Sequence, residues 1–390
     1  MTSSDRSPPS AEKRLLISLH AGFLLIGIIT VLLGQVLPVL SERLSLNDLN
    51  AGYLFIAQFA GSLTGTLFYN RAIKKFGFLK LLFGGFCLLA FGCIGLNINS
   101  LFWLPAAIYV YGVGIGLTIP AINLLVIEIN KEKSSSALNT LNFFWGVGAI
   151  LCKPFVDYFK SPDNILIPTI LLCLSFLLIG AGIRFSNYQE NFLKKEKFSG
   201  AAKPIWITTA AWLIAIFSFI HIGIESSVGG WITTFESRLT QNPEGGWLSA
   251  AFIFFFFMVF GRGIAPLFFK SLTENAVLLG NVIIMTAGII LILRAESFLF
   301  LNIGAGILGF GTSTVYPTNL SRFTKFFGHQ AIHNATPLFV FGSLGGAFTT
   351  WLVGFTSTAF DNLRAGFFVV LVSCFLLIIL QIILATGRSK

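Results

Sequence analysis

The segment FSNYQENFLKKEKFSGAAKP, residues 185–204, is the longest polar stretch of this 390-residue chain, and what flanks it decides the fold. Outward from it, in both directions, run apolar segments separated by short polar breaks. Six precede it, at about 14–40, 50–70, 78–98, 101–128, 136–157 and 164–184, and six follow, at about 205–233, 246–270, 274–293, 297–321, 331–356 and 362–386. Each can supply the roughly 20 helical residues that cross a bilayer's hydrocarbon core. With 55% hydrophobic and only 11% charged residues, the chain lacks the polar groups to cover a water-facing domain. A bilayer accepts such an exterior when every backbone group is hydrogen-bonded inside a helix. The expectation is an all-α membrane protein of twelve transmembrane helices. Its parts are a polar, disordered tail (1–13), a six-helix half (14–184), a linker (185–204), a second six-helix half (205–386) and a short end (387–390). The first residues lack the layout of a cleavable signal, so the first helix serves as the insertion signal.

The net charge of +10 raises the question of nucleic acid, and the position of the charges answers it. On alternate sides of the spans, Lys and Arg number twenty against five, with Lys153 inside a span. The rich side holds Arg71, Lys74, Lys75 and Lys80, then Lys131 and Lys133, and the linker cluster Lys194, Lys195 and Lys197. By the positive-inside rule that side is cytoplasmic, which places both termini there and the protein in the cytoplasmic (inner) membrane. The basic excess is a topology signal helped by anionic lipid headgroups, and no nucleic-acid partner is expected. The five cysteines stand singly in apolar runs and read as small hydrophobes.

The halves echo each other at an offset of about 200 residues. FIAQFAGSLTG, from Phe55, matches FFFMVFGRGIAP, from Phe255, aligning Gly61 with Gly261. GIGLTIPAIN, ending at Asn123, matches GFGTSTVYPTN, ending at Asn319, and FFWGVGA (143–149) matches VFGSLGGA (340–347). Three matches in one order point to a parallel duplication, a design that transporters use to set a solute site between halves near the bilayer midplane.

Twelve spans, a basic central loop and paired halves resemble the major facilitator superfamily over essentially the whole chain. GTLFYNRAIKKFGFLK (65–80) resembles that superfamily's cytoplasmic gate motif, with Asn70 where an aspartate is usual and one extra residue of spacing. LNTLNFFWGVGAI (138–150), ESSVGGWITTF (225–235) and YGVGIGLTIPAIN (111–123) are similar to segments of the fucose-permease-like sugar transporters, although Ile119 stands where those permeases have a helix-4 acid. The resemblance implies a transporter working by alternating access, with a neutral sugar as solute, a proton or sodium ion as coupling partner, and action as a monomer.

Candidate residues are those that interrupt the apolar runs. Glu225 comes first, because no other formal charge lies between Pro204 and Glu236. A carboxylate at membrane depth costs about 2.5–3.5 kcal/mol on insertion scales, so it should face a cavity or a partner. Counted from residue 205, it falls in the outer half of its span. His221 lies four residues earlier, on the same helical face, and suits a proton relay or a carbonyl contact. Lys153 is a matching cation and a candidate outer-gate partner of Glu225, while Arg71 and Arg262 read as inner-gate contacts. Gln35, Gln58, Asn123, Asn142 and Asn334 offer the donors and acceptors that sugar hydroxyls need. Trp145, Trp231 and Tyr316 offer aromatic walls with polar handles. Helix–helix hydrogen bonding is the competing role for every amide.

The preferred reading is a secondary active transporter of a small polar solute, with a drug or lipid exporter of the same superfamily as the alternative. An intramembrane enzyme would need paired carboxylates, HExxH, a Ser–His arrangement or a clustered metal set, and the sequence offers none. No cofactor is expected.

Overall fold

The computed structural model describes residues 9–130, 134–161, 164–189, 205–239, 248–327 and 335–386. Within these the regular structure is helical, with thirteen α-helices. They are α1 (Pro9–Leu44), α2 (Asp48–Phe76), α3 (Phe78–Ile94), α4 (Trp103–Ile129), α5 (Ser134–Phe159), α6 (Leu166–Arg184), α7 (Thr209–Leu239), α8 (Ala250–Phe269), α9 (Glu274–Arg294), α10 (Phe298–Thr312), α11 (Val315–Phe327), α12 (Thr336–Ala359) and α13 (Leu363–Thr386). The span expected to run unbroken over 297–321 is interrupted: α10 ends at Thr312 and α11 begins at Val315. The two pieces form one interrupted span, and twelve spans result.

Ten helical stretches are apolar enough to cross a membrane, one of them running through α10 and α11. The two spans outside that set are α2 and α5, which carry Gln58, Asn70 and Arg71, and Asn142, Lys153 and Asp157. The opposite extreme is α13. It buries Phe367, Val370, Cys374 and Leu377 while exposing Phe368, Val372, Phe375 and Ile379. A helix that is apolar all round suits a lipid boundary. Side-chain caps set several starts: Ser249 accepts from the Phe252 amide, Thr273 from Ala276 and Ser297 from Phe300.

The chain divides into two compact units. Unit 1 comprises Met1–Leu33 and Ala57–Ser199; unit 2 comprises Gly34–Ile56 and Gly200–Lys390. The end of α1, the turn after it and the start of α2 therefore belong with the carboxy-terminal helices.

Each unit closes on glycines, and the same helix pairs do so in both. In unit 1 a Cβ on Gly27 would lie 2.1 Å from the Trp145 carbonyl oxygen, and one on Gly148 would lie 2.0 Å from that of Leu24, so α1 and α5 touch backbone to backbone. In unit 2, Gly345 stands in the same way 2.0 Å from the Phe219 carbonyl, joining α7 to α12. A second seam joins α2 to α4 through Gly61 and Gly116, and its counterpart joins α8 to α10 through Gly309. Without a hydrophobic driving force between helices in lipid, such close approach supplies the dispersion contact that holds them.

Candidate functional site

The site is built on α7, where Glu225 is the one formal charge between Pro204 and Glu236. The helix is 31 residues long, and residue 225 stands at its middle. α7 extends to Leu239, beyond the apolar run. Glu225 keeps 21% of its side chain exposed, and its Oε2 lies 3.4 Å from Nε2 of His221, which is 1% exposed. Neither ring nitrogen of His221 completes a hydrogen bond of normal geometry. His20 differs: its Nδ1 donates to the Leu16 carbonyl at 2.7 Å and its ring meets Phe144 edge-on. The structural-histidine role thus belongs to His20, and His221 has a carboxylate as its polar neighbour.

Arg262 of α8 and Tyr316 at the start of α11 join this pair. Glu225 interacts electrostatically with Arg262 and with Tyr316, and Arg262 also acts on Tyr316. Arg262 lies seven residues before the end of α8, well inside the helix, and its Nε donates to the Ser313 carbonyl at 2.9 Å. The overlooked signal of this contact was Pro317, which removes the backbone donor due to the carbonyl four residues back, that of Ser313.

Lys153 pairs with Asp157 one turn on, and the other oxygen of Asp157 lies 2.9 Å from Lys160. An i,i+4 acid is within easy reach of Lys153 on its own helix. Gln35 is buried, accepts from Thr233 Oγ1 at 2.7 Å and donates to the Gly229 carbonyl at 3.4 Å. Gln58 is also buried; it donates to the Thr30 carbonyl at 3.0 Å and accepts from Tyr111 Oη at 3.0 Å. Trp231 is fully buried, with its indole N–H on the Thr350 carbonyl at 2.9 Å and its ring on Phe55. All three are buried and hydrogen-bonded to protein.

Asn142 on α5 is exposed and donates only locally, to the Leu138 carbonyl at 2.9 Å; Asn123 on α4 does the same to Ile119 at 2.8 Å and is half-buried. Trp145 is half-buried on α5, and Arg71 is exposed, its guanidinium 5.8 Å from the Phe68 ring centre. Asn319, buried, ties α11 to α7 through the Ile214 carbonyl and Ser218 Oγ. Asn334 lies outside the described residues.

A duplicated bundle of apolar helices with a titratable cluster on a central helix defines a polytopic membrane transporter, a class without enzymatic chemistry. The sequence profile of the Major Facilitator Superfamily matches residues 19–339, and the chain belongs to that family of secondary transporters. Among curated proteins, it is 22% identical over 357 residues to the glucose/mannose transporter GlcP of Bacillus subtilis, covering 86% of each chain. It is 21% identical over 357 residues to the human sodium-dependent glucose transporter 1, covering 80% of this chain and 68% of that one. Among solved structures, a variant of the nucleoside transporter NupG superposes with a TM-score of 0.79 at 11% identity, covering 96% of this chain and 99% of that one. The E. coli fucose:proton symporter FucP superposes at 0.63 with 17% identity, covering 96% and 98%.

Proposed function

We propose that this protein moves a neutral monosaccharide across the cytoplasmic membrane by alternating access, coupled to protons through Glu225. The observation that carries the reading is the His221–Glu225 pair at the middle of α7, an acid and a base within 3.4 Å in an otherwise uncharged stretch. A proton taken up there neutralises the one carboxylate of the span. Neutral, the group crosses a low-dielectric step that the charged form resists. His221 supplies a second proton site on the same face, so the proton has somewhere to wait while the solute binds or leaves.

The sugar assignment draws support from relatives named as glucose transporters; by residue type alone, Asn123, Asn142, Trp145 and Tyr316 are the candidates for contact with a sugar. The placement of both termini in the cytoplasm rests on the charge bias, and the assignment of Arg71 to an inner gate rests on its motif.

The test is uptake of D-glucose, D-mannose and L-fucose into proteoliposomes, with an imposed proton gradient, a sodium gradient or neither, for wild type and Glu225→Gln. The expected outcome is gradient-driven accumulation of at least one sugar by wild type, and in the variant loss of accumulation with retained sugar exchange. Proton-driven accumulation undiminished in Glu225→Gln removes Glu225 as carrier. Efflux of lipophilic cations without sugar uptake replaces this reading with an exporter.

A further inference from the structure

Ser218, His221 and Glu225 follow one another on α7 at steps of three and four residues, which puts them on one face of the helix. Ser218 and His221 are both buried. Against the same stretch α11 lays Asn319, also buried, whose Nδ2 donates to the Ile214 carbonyl at 3.1 Å and to Ser218 Oγ at 2.9 Å. These two bonds fix which way the amide faces. A carbonyl only accepts, so the nitrogen must face Ile214, and both amide hydrogens are then spent. Oδ1 is left pointing elsewhere, and among the described residues it meets no donor.

His221 has the matching need. Its Nε2 faces Glu225 Oε2 at 3.4 Å, and neither ring nitrogen completes a hydrogen bond among the described residues. A neutral imidazole with its hydrogen on Nε2 leaves a bare lone pair on Nδ1, whereas an imidazolium has an N–H there. Nδ1 therefore needs a partner that donates in the first state and accepts in the second. Asn319 Oδ1 only accepts, but a water molecule does either. Side chains three residues apart on a helix have Cβ atoms about 5–6 Å apart, roughly the span of two hydrogen bonds in series. We propose that Asn319 and Ser218 are positioning residues for His221: with the imidazole they hold one buried water between α7 and α11, which serves Nδ1 in both charge states. Beside the neutral ring the water donates to Nδ1 and to Asn319 Oδ1 and accepts from the Ser218 hydroxyl. Three bonds are the usual number for a buried water. Beside the charged ring it turns, accepting the Nδ1–H and donating to Asn319 Oδ1 and Ser218 Oγ. The histidine then takes or releases a proton without stranding a buried group.

The other titratable groups on the helices packed against α7 have attachments of their own. Arg262 of α8 donates to the Ser313 carbonyl, and Tyr316 of α11 interacts with Glu225. Arg322 of α11 bonds Asn275 and Gln381, Lys325 pairs with Glu274, and Arg364 of α13 stands over the Phe235 ring. No charged residue lies on α10 or α12.

This inference deepens the reading of Glu225 and His221 as the proton-handling pair, and its first test is read without transport. Full-length protein with isotope-labelled histidine is held in lipid nanodiscs, and the nuclear magnetic resonance signals of His221 are identified by their loss in His221→Gln. Wild type is expected to show a hydrogen-bonded Nδ1 and magnetisation transfer to the ring from a long-lived water. Ser218→Ala, which keeps the Asn319–Ile214 bond, should weaken that transfer several-fold and move the Nδ1 signal, and Ser218→Thr should retain both. Asn319→Leu should abolish the transfer; if that variant fails to fold, Ser218→Ala decides alone. An Nδ1 signal without water transfer in wild type, or one unmoved in Ser218→Ala, overturns the site. Equal losses in Ser218→Thr and Ser218→Ala overturn the positioning role of the hydroxyl. In proteoliposomes, Ser218→Ala is expected to lower the ratio of proton-driven D-glucose accumulation to gradient-free exchange several-fold, and an unchanged ratio overturns the link to proton handling. Absence of D-glucose transport in wild type counts against the sugar reading and leaves the water site to be decided by resonance.

Discussion

Gln58 and Asn142 are both amides in polar spans of unit 1, and their hydrogen bonds separate two roles. Gln58 is buried and joins three helices, donating to Thr30 of α1 and accepting from Tyr111 of α4. Asn142 is exposed and bonded only to its own helix at Leu138. Removing the first leaves a part-buried carbonyl and a buried phenol without their partner, at about 1–3 kcal/mol. Removing the second leaves no such debt. Gln58→Ala is therefore expected to lower the melting temperature in detergent by several degrees with KM for transported sugar unchanged, and Asn142→Ala to raise KM with the melting temperature unchanged. A rise in KM without loss of stability in Gln58→Ala would return that residue to the solute site. Residue type alone could not make this separation, because the same amide serves packing or binding according to what stands opposite. Glu225 and His221 were legible because their i,i+4 spacing in an otherwise uncharged stretch of helix fixes a shared face. Their link to Arg262 was not, since it depends on where α8 meets the break.

At the scale of elements, the fold was legible where hydropathy and helix geometry agree, and it departed where single residues override them. All twelve spans stand in the expected order, yet α7 outlasts its apolar run. Its last turns hold Glu236, which accepts from the Ala250 amide at 3.1 Å and so fastens α7 to the start of α8. The break after α10 followed from Thr312–Thr314 and Pro317, residues that a hydropathy reading passes over. The start of α2 shows the same logic. Asp48 opens that helix, where a carboxylate meets the positive end of the dipole, and it is buried in unit 2. Arg238 of α7 grips it with two hydrogen bonds, at 2.8 and 2.5 Å, Ser357 of α12 donates to it, and the neighbouring Leu49 amide donates to Thr358 Oγ1. Arg238 is nearly half exposed, so water compensates part of its loss. The carboxylate's hydrogen bonds remain worth on the order of 2 kcal/mol. Asp48→Asn should lower the melting temperature by a few degrees. Arg238→Lys, keeping the charge but losing the fork, should fall between it and wild type. Equal stability of all three proteins would make the cluster incidental.

The whole molecule carries its duplication in its seams. Gly27 and Gly148 close α1 on α5 as Gly345 closes α7 on α12, and Gly116 closes α2 on α4 as Gly309 closes α8 on α10. The sequence echo at about 200 residues is therefore an echo of contacts, which is why short glycine-rich matches carried the fold. The units nevertheless do not follow the sequence halves, because Gly34–Ile56 belongs with the second. There Gly34 stands so near the Gly229 carbonyl that a Cβ would lie 2.4 Å from it; Phe55 covers Trp231, and Asp48 is gripped by Arg238. A carboxy-terminal half expressed alone lacks this layer. It would leave the backbone of Gly229 and Gly230, the Trp231 ring and the Arg238 guanidinium without their partners. Cutting the chain within 190–204 separates the two pieces for a direct test. The second piece alone is expected to be recovered at a small fraction of the yield of the intact protein and to melt at a lower temperature. Co-expression with the first piece should restore both, and Asp48→Asn in that first piece should weaken the restoration. A second piece that is fully stable alone would show that residues 34–56 only rest against unit 2 and contribute nothing to its folding.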